Sequence, residues 1–336
     1  MNKRKFLIFL FRYFLFFFTT FKFSKVIPAN IFKKKTLVLI HSDFIKHKLT
    51  ENHPEKPERI THIVEYLKKK ELFHLIEKLD FQGNVDLWIK KIHTKKHSKL
   101  LKKNFPLGEK SSKTAVKACI FGIDQIINEK VKNVFCASRP PGHHALNTGK
   151  DEGFCFYNHV AIATKYIQQK YKIRKVLIVD WDYHHGNSTE YFFYNDPSVL
   201  FFSTHDANAY PGTGSPERKG EGKGIGFNVN IHLPCGTTDR DIISIFKNNL
   251  VKRADLFKPD FILISAGFDS KKNDPLGCFN LTNNGFKSLT KIIMSIAEKH
   301  CQGRILSILE GGYNVKGNGS AVASHIEILN NFNKKV

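Results

Sequence analysis

The stretch Val176-Leu-Ile-Val-Asp180-Trp-Asp182-Tyr-His184-His185-Gly-Asn187 decides how the rest of the chain is read. Its first half is a short apolar run rich in β-branched residues, the signature of a strand buried on both faces of a parallel sheet. The run ends abruptly in two carboxylates, two imidazoles, a glycine and an amide. On an extended chain Asp180, Asp182 and His184 point to one side. A hard oxygen and an imidazole nitrogen can therefore meet beyond the strand's carboxyl end, the edge where open α/β sheets place ligands. A polar strand end that only caps the next helix does not need two acids and two histidines in six residues; a metal site does.

Working outward, similar apolar runs at Thr36–His41, Val134–Ser138, Val199–Thr204, Phe227–Leu233, Phe261–Ala266 and Arg304–Leu309 read as strands. Between them, apolar residues at helical spacing predict helices over Arg59–Lys70, Thr114–Asn128, Val160–Gln169, Asp239–Phe257 and Phe286–Lys299. This alternation predicts an α/β fold: a single domain with a mainly parallel central sheet and helices on both faces. His53-Pro-Glu-Lys-Pro-Glu-Arg59 reads as a rigid surface turn leading into a helix, and His93 and His97 read as structural histidines. The glycine-rich loops at Tyr210–Gly214 and Gly220–Gly226 lack the Lys-Ser/Thr that a phosphate-binding loop carries.

The 336 residues are 41% hydrophobic and 12% aromatic, enough for a sizeable core and too apolar for a disordered chain. A formal charge of +23 admits nucleic acid, an anionic membrane surface or acidic partners. The basic residues are scattered rather than gathered on one predicted helix, which favours a lysine-rich solvated surface and no specific nucleic-acid partner. The six cysteines form no CxxC and no close pair, so they read as buried or free thiols of a reducing compartment, and a cytoplasmic location is favoured. Residues 1–35 stand apart, with nine Lys or Arg, no acid, and an apolar run from Phe6 to Phe21 broken by Arg12. They read first as a dispensable extension, then as an export signal or membrane-surface anchor; no transmembrane span is expected from so short and interrupted a run. The domain proper is taken as residues 36–336.

Four strand ends carry polar groups: His143 and His144, Asp180 to Asn187, Asp269, and Tyr313. Parallel strands bring such ends to one edge. Asp182, His184 and Asp269 would give two oxygens and one nitrogen, three protein ligands with an open position, the pattern of a catalytic zinc. Gly186 and Lys271 stand where further acids would be needed for a second dication, so one metal is expected. His143 and His144, held stiffly after Pro140-Pro141-Gly142, are the candidate acid/base pair. Asp180 and Asn187 would orient them, a carboxylate raising one imidazole's basicity more than an amide raises the other's. Tyr313, after two glycines, could donate to a carbonyl oxygen that gains charge.

These residues carry a resemblance. From about Thr36 onward the chain resembles the arginase-like histone deacetylase superfamily, nearest the class II and bacterial histone-deacetylase-like amidohydrolases, through HPEKPER, RPPGHHA, GFCFYN, DWDYHHGN, YPGTG, SAGFDSKKNDPLG and LEGGY in order. The resemblance implies zinc at Asp182, His184 and Asp269, proton transfer by His144 with His143 as its electrostatic partner, and Tyr313 polarising the amide carbonyl. It implies a narrow tunnel for an acyl-lysine stem walled by Phe154 and Tyr210, with the Gly153 carbonyl at its base. Members also bind a structural potassium through the segment Asp180–His184 and Ser203. Leu276 stands where polyamine-selective members carry an acid. Ser188 replaces the usual glycine after Asn187, where it could shift the loop, and Lys271-Lys272 could alter the rim.

The expected activity is a zinc-dependent amidohydrolase that removes an acetyl or other short acyl group from a lysine side chain in a protein. A deacylase of small acetylated amines such as acetylpolyamines is the alternative among enzymes. A non-catalytic acyl-lysine or nucleic-acid binding module is the alternative outside them.

Overall fold

The apolar runs at the centre of the sheet become strands here because they are buried on both faces. The structure is a computed structural model and describes residues 36–332, which belong to one compact unit. The extension predicted at residues 1–35 lies outside the described residues. The strands are β1 (Thr36–Ile40), β2 (Ile76–Lys78), β3 (Asn133–Cys136), β4 (Val176–Asp180), β5 (Val199–Asp206), β6 (Asn228–Leu233), β7 (Phe261–Ala266) and β8 (Ile305–Leu309). They form one eight-stranded sheet in the order β2-β1-β3-β8-β7-β4-β5-β6, and every neighbouring pair is parallel. All five residues of β4 are buried, as a central parallel strand requires.

The longer helices are α1 (Glu58–Lys69), α2 (Lys95–Asn104), α3 (Pro106–Ile127), α4 (His159–Tyr171), α5 (Asn187–Phe193), α6 (Asp239–Ile245, continued through a π turn, Phe246–Leu250, to Val251–Phe257), α7 (Asn283–His300) and α8 (Val315–Asn331). One layer packs α1, α7 and α8 together, and the other packs α2, α3 and α4. The site is positioned by strand order. β3, β8, β7 and β4 are consecutive in the sheet, and each ends at one of the four polar segments that the sequence singles out. In register, Asp180 pairs with Ser265, Ser265 with Ile308, and Ile308 with Cys136, so the four ends are level.

Three expectations are corrected. His53–Arg59 is not a surface turn: Glu55 and Arg59 are fully buried, because Glu55 sits between the guanidinium groups of Arg59 and Arg139. The cysteines are not all single thiols. Cys235, after β6, is joined to Cys278, in the loop between β7 and α7, across 43 residues of sequence (Cα–Cα 5.2 Å). The Gly236 N–H donates to the Cys278 carbonyl at 2.9 Å, so a backbone contact between the two loops brings the sulfurs together. The lysines are less scattered than the sequence suggests, since five lie on the exposed surface of α2.

Candidate active site

Asp182 and His184 leave β4 on the same side, and Asp269 leaves the adjacent β7 toward them. One ligand atom from each lies within 4.8 Å of the others. His184 Nδ1 is 3.1 Å from Asp182 Oδ1 and 3.0 Å from Asp269 Oδ2. Backbone N–H groups fix the carboxylates: Tyr183 N donates to Asp269 Oδ1 (2.8 Å), His184 N to Asp182 Oδ1 (2.9 Å) and Gly311 N to Asp182 Oδ2 (2.8 Å). Two glycines make the room. A Cβ on Gly267 would stand 1.9 Å from Asp182 Oδ2, and one on Gly311 would stand 2.0 Å from Asp269 Oδ2.

The donor set fits a divalent cation. Asp182 and Asp269 are buried and aimed at one point, and burial together with the neighbouring Asp182 charge pushes the Asp269 carboxyl upward. Burial alone would lower the His184 imidazole, but its hydrogen bonds to both carboxylates lift it to about 10. Such a cluster calls for positive charge at its centre.

The histidine pair stands beside it, ring centroids 4.0 Å apart. His143 Nδ1 is 3.1 Å from Asp180 Oδ2, and His144 Nδ1 is 2.8 Å from Asn187 Oδ1. The two imidazoles are driven apart. Burial opposes the charged form in both, but Asp182, Asp180 and Glu310 raise His143 well above its usual range, while His143 and His184 add to burial in holding His144 well below it. A Cβ on Gly186 would stand 2.2 Å from Asp180 Oδ2, so glycine is needed there.

His144, His184, Gly153, Phe154, Tyr210, Leu276 and Tyr313 line one cleft of about 470 Å³, together with His53 and Asp151. Phe154 and Tyr210 stand edge-on to Tyr313 and His144, at centroid distances of 5.7 Å and 4.9 Å. Gly153 has φ +56°, and a Cβ there would meet His144 Cδ2 at 2.4 Å. Phe154 itself has φ +69°, held by its N–H donating to Asp151 Oδ1 at 2.8 Å.

The sequence profile of the histone deacetylase domain matches residues 53–329. The chain belongs to the histone deacetylase family. It is thus an enzyme of a hydrolase family that acts on amide bonds. It is 36% identical over 300 residues to a probable deacetylase of Archaeoglobus fulgidus, covering 84% of this chain and 82% of that one. It is 35% identical to histone deacetylase 15 of Arabidopsis thaliana, covering 87% of this chain and 55% of that protein. The crystal structure of the HDA15 HD domain superposes with a TM-score of 0.82 at 32% identity, covering 88% of this chain and 89% of the other.

In this member of the histone deacetylase family, several residues near the cleft escape a reading by motif position. Glu310 is buried; its Oε2 accepts from Gly142 N (2.6 Å) and His143 N (3.2 Å), and burial pushes it up to about 7. Arg59 donates from Nε to the Gly312 carbonyl (2.8 Å) and from a terminal nitrogen to the Glu310 carbonyl, and its guanidinium lies over the Tyr313 ring at 5.0 Å. Asp274 Oδ2 accepts from Tyr313 N (2.7 Å) and Asn314 N (2.8 Å). Arginine in HPEKPER and glutamate before Gly-Gly-Tyr were visible as motif members, but nothing in their spacing said that they meet. His93 and His97 prop the loop behind the cleft: His93 Nε2 accepts from Asn158 N (2.9 Å), His97 Nδ1 from Gly149 N (2.9 Å), and His97 Nε2 donates to the Phe156 carbonyl (2.8 Å).

The departures from the family pattern are accommodated. The Ser188 hydroxyl donates to the His143 carbonyl at 2.8 Å, and Asn187 keeps its contact with His144. Lys271 Nζ donates to Asn283 Oδ1 (2.8 Å) at the start of α7 and does not line the cleft. His185 turns away to Thr213 Oγ1 (2.8 Å).

Proposed function

We propose that the chain is a zinc-dependent amidohydrolase that removes an acetyl or other short acyl group from a lysine side chain. The observation that carries this reading is the convergence of Asp182, His184 and Asp269 beside two imidazoles of opposite tuning, at the foot of an aromatic-walled cleft. A single zinc ion held by those three residues would supply Lewis acidity to the scissile carbonyl and to the attacking water.

The remaining work falls to side chains. Asn187 Oδ1 can only accept, so the His144 Nδ1 must carry the proton and leave Nε2 as a neutral base. Its depressed basicity keeps that base free to take a proton from water. His143, raised by Asp180 and Asp182, remains cationic; it favours negative charge developing nearby, and one of the two histidines returns a proton to the leaving amine. Tyr313, pushed well above its usual range by burial, remains a neutral hydroxyl donor for the carbonyl oxygen. Phe154 and Tyr210 would flank the apolar stem of an acyl-lysine, and the Gly153 carbonyl would accept a hydrogen bond from the substrate amide. The resemblance to the family also implies a structural potassium held through the Asp180–His184 segment and Ser203, which lies beside Asp180 in the sheet.

A small acetylated polyamine fits less well, because Leu276 lines the cleft at the position where polyamine-selective members carry an acid. A binding module without turnover needs no pair of histidines tuned apart. The test is turnover of acetyl-lysine peptides and acetylpolyamines side by side, after chelation and after zinc is restored. Peptide hydrolysis that zinc restores is expected; full activity after exhaustive chelation would sink the metal reading, and a preference for polyamines would overturn the substrate.

A further inference from the structure

Between Asp86 and Glu109 the chain has seven lysines, no arginine and no acid. Five of them, Lys95, Lys96, Lys99, Lys102 and Lys103, are on α2, and all five are exposed. At 3.6 residues per turn they fall within about one third of the helix circumference. His97 and Leu101 are buried on the opposite side. Pairs such as Lys95 with Lys99 and Lys99 with Lys103 are one turn apart, a like-charge spacing that works against the helix. Some lysines elsewhere are paired, for example Lys70 with Glu327 and Lys165 with Asp196. Among the described residues no carboxylate pairs with the five on α2. The two acids that border the stretch, Asp86 and Glu109, are both taken by Lys113, at 3.0 Å and 2.8 Å. Two leucines beside the stretch in sequence are also exposed: Leu87 at 60% and Leu107 at 57%.

We propose that this lysine face docks the protein on an anionic lipid bilayer. Flexible ammonium groups suit a diffuse sheet of lipid charge, each adding to the attraction near the surface. A nucleic-acid surface would favour arginine forks and exposed aromatic rings, and this stretch exposes neither. The docked helix is also the one whose buried His97 holds the loop leading to Gly153 and Phe154, so the attachment would lie directly behind one wall of the cleft. This docking is independent of the proposed chemistry.

The test is co-sedimentation of the full-length chain with phosphatidylcholine vesicles, with and without phosphatidylserine. Binding is expected only with phosphatidylserine and is expected to weaken as salt rises. Changing the five lysines to Gln should lower partitioning by about fivefold per lysine. Residues 1–35 are present in both proteins, so any attraction they add is common to both. Thermal unfolding of the variant should be no lower than that of the parent, because the changed side chains are exposed and the like-charge spacing is relieved. Equal binding by parent and variant, or equal binding to vesicles lacking phosphatidylserine, overturns the proposal. Tighter retention on duplex DNA than on the anionic vesicles at equal salt overturns the choice of lipid.

Discussion

Changing Tyr313 to Phe removes one oxygen and leaves the ring between the Arg59 guanidinium and Phe154. If the hydroxyl donates to the carbonyl oxygen as charge builds there, Tyr313→Phe loses about 2–4 kcal/mol of transition-state stabilisation, on the order of a hundredfold in kcat. KM for an acetyl-lysine peptide should change little, since the stem contacts remain. Steady-state kinetics decides it, and an unchanged kcat removes Tyr313 from the chemistry. At this scale the sequence was readable where spacing alone forces proximity: Asp182 and His184 are two residues apart on an extended chain and must share a side. It was unreadable for Arg59 and Glu310, which lie 251 residues apart and meet through the Glu310 backbone carbonyl, a group that every residue has.

Helix α8 shows how packing hides an element from its sequence. Gly317 and Gly319 lower helix propensity, and with Asn314 and Asn318 nearby they make Asn314–Ser320 look like a loop. Yet α8 packs closely on α1, and a Cβ at Gly319 would stand 2.8 Å from the His62 carbonyl of α1. The glycine is there for that close approach. Gly319→Leu should therefore destabilise by about 1–3 kcal/mol despite better intrinsic propensity, seen as a lower urea midpoint; a stabilised variant would contradict the packing argument. By contrast, α3 and α7 were legible because their apolar stripes are long and regular. The short helix α5 is tied to β6 through Glu190, which accepts from Asn228 and Asn230 (2.9 Å and 2.5 Å) and from Arg218 (2.5 Å). Burial would raise this carboxyl, but hydrogen bonds from His185, Asn230 and Arg218 bring it down to about 2. Its folded value is thus depressed below the ordinary 4.5, so its stabilisation is complete above that pH and is lost as pH falls toward about 2. The contribution is at most about 3 kcal/mol. Comparing parent and Glu190→Gln, the stability difference should shrink as pH falls through that window; a constant difference would mean that the charge of Glu190 is not what ties α5 to β6.

For the whole molecule, a metal held by Asp182, His184 and Asp269 would couple chemistry to stability. Strand order brings the two carboxylates together at a buried point, where burial and the Asp182 charge raise Asp269 and the His184 imidazole between them offsets only part of the repulsion. A ligand that binds only the folded chain stabilises it by about 2.7 kcal/mol at a hundredfold excess over Kd. Zinc added to the chelator-stripped protein should therefore raise Tm by several degrees. Asp269→Asn separates the two effects. The amide oxygen can still accept from Tyr183 N, so the local hydrogen bond survives, while one of the two repelling charges is gone. The stripped variant should melt at or above the stripped parent, and zinc should no longer shift it appreciably. Thermal melts of both proteins across a zinc titration, with no substrate present, test this apart from turnover. A variant that zinc stabilises as much as the parent would show that Asp269 does not hold the ion. A stripped variant that melts well below the parent would show that the second carboxylate stabilises the fold rather than opposing it.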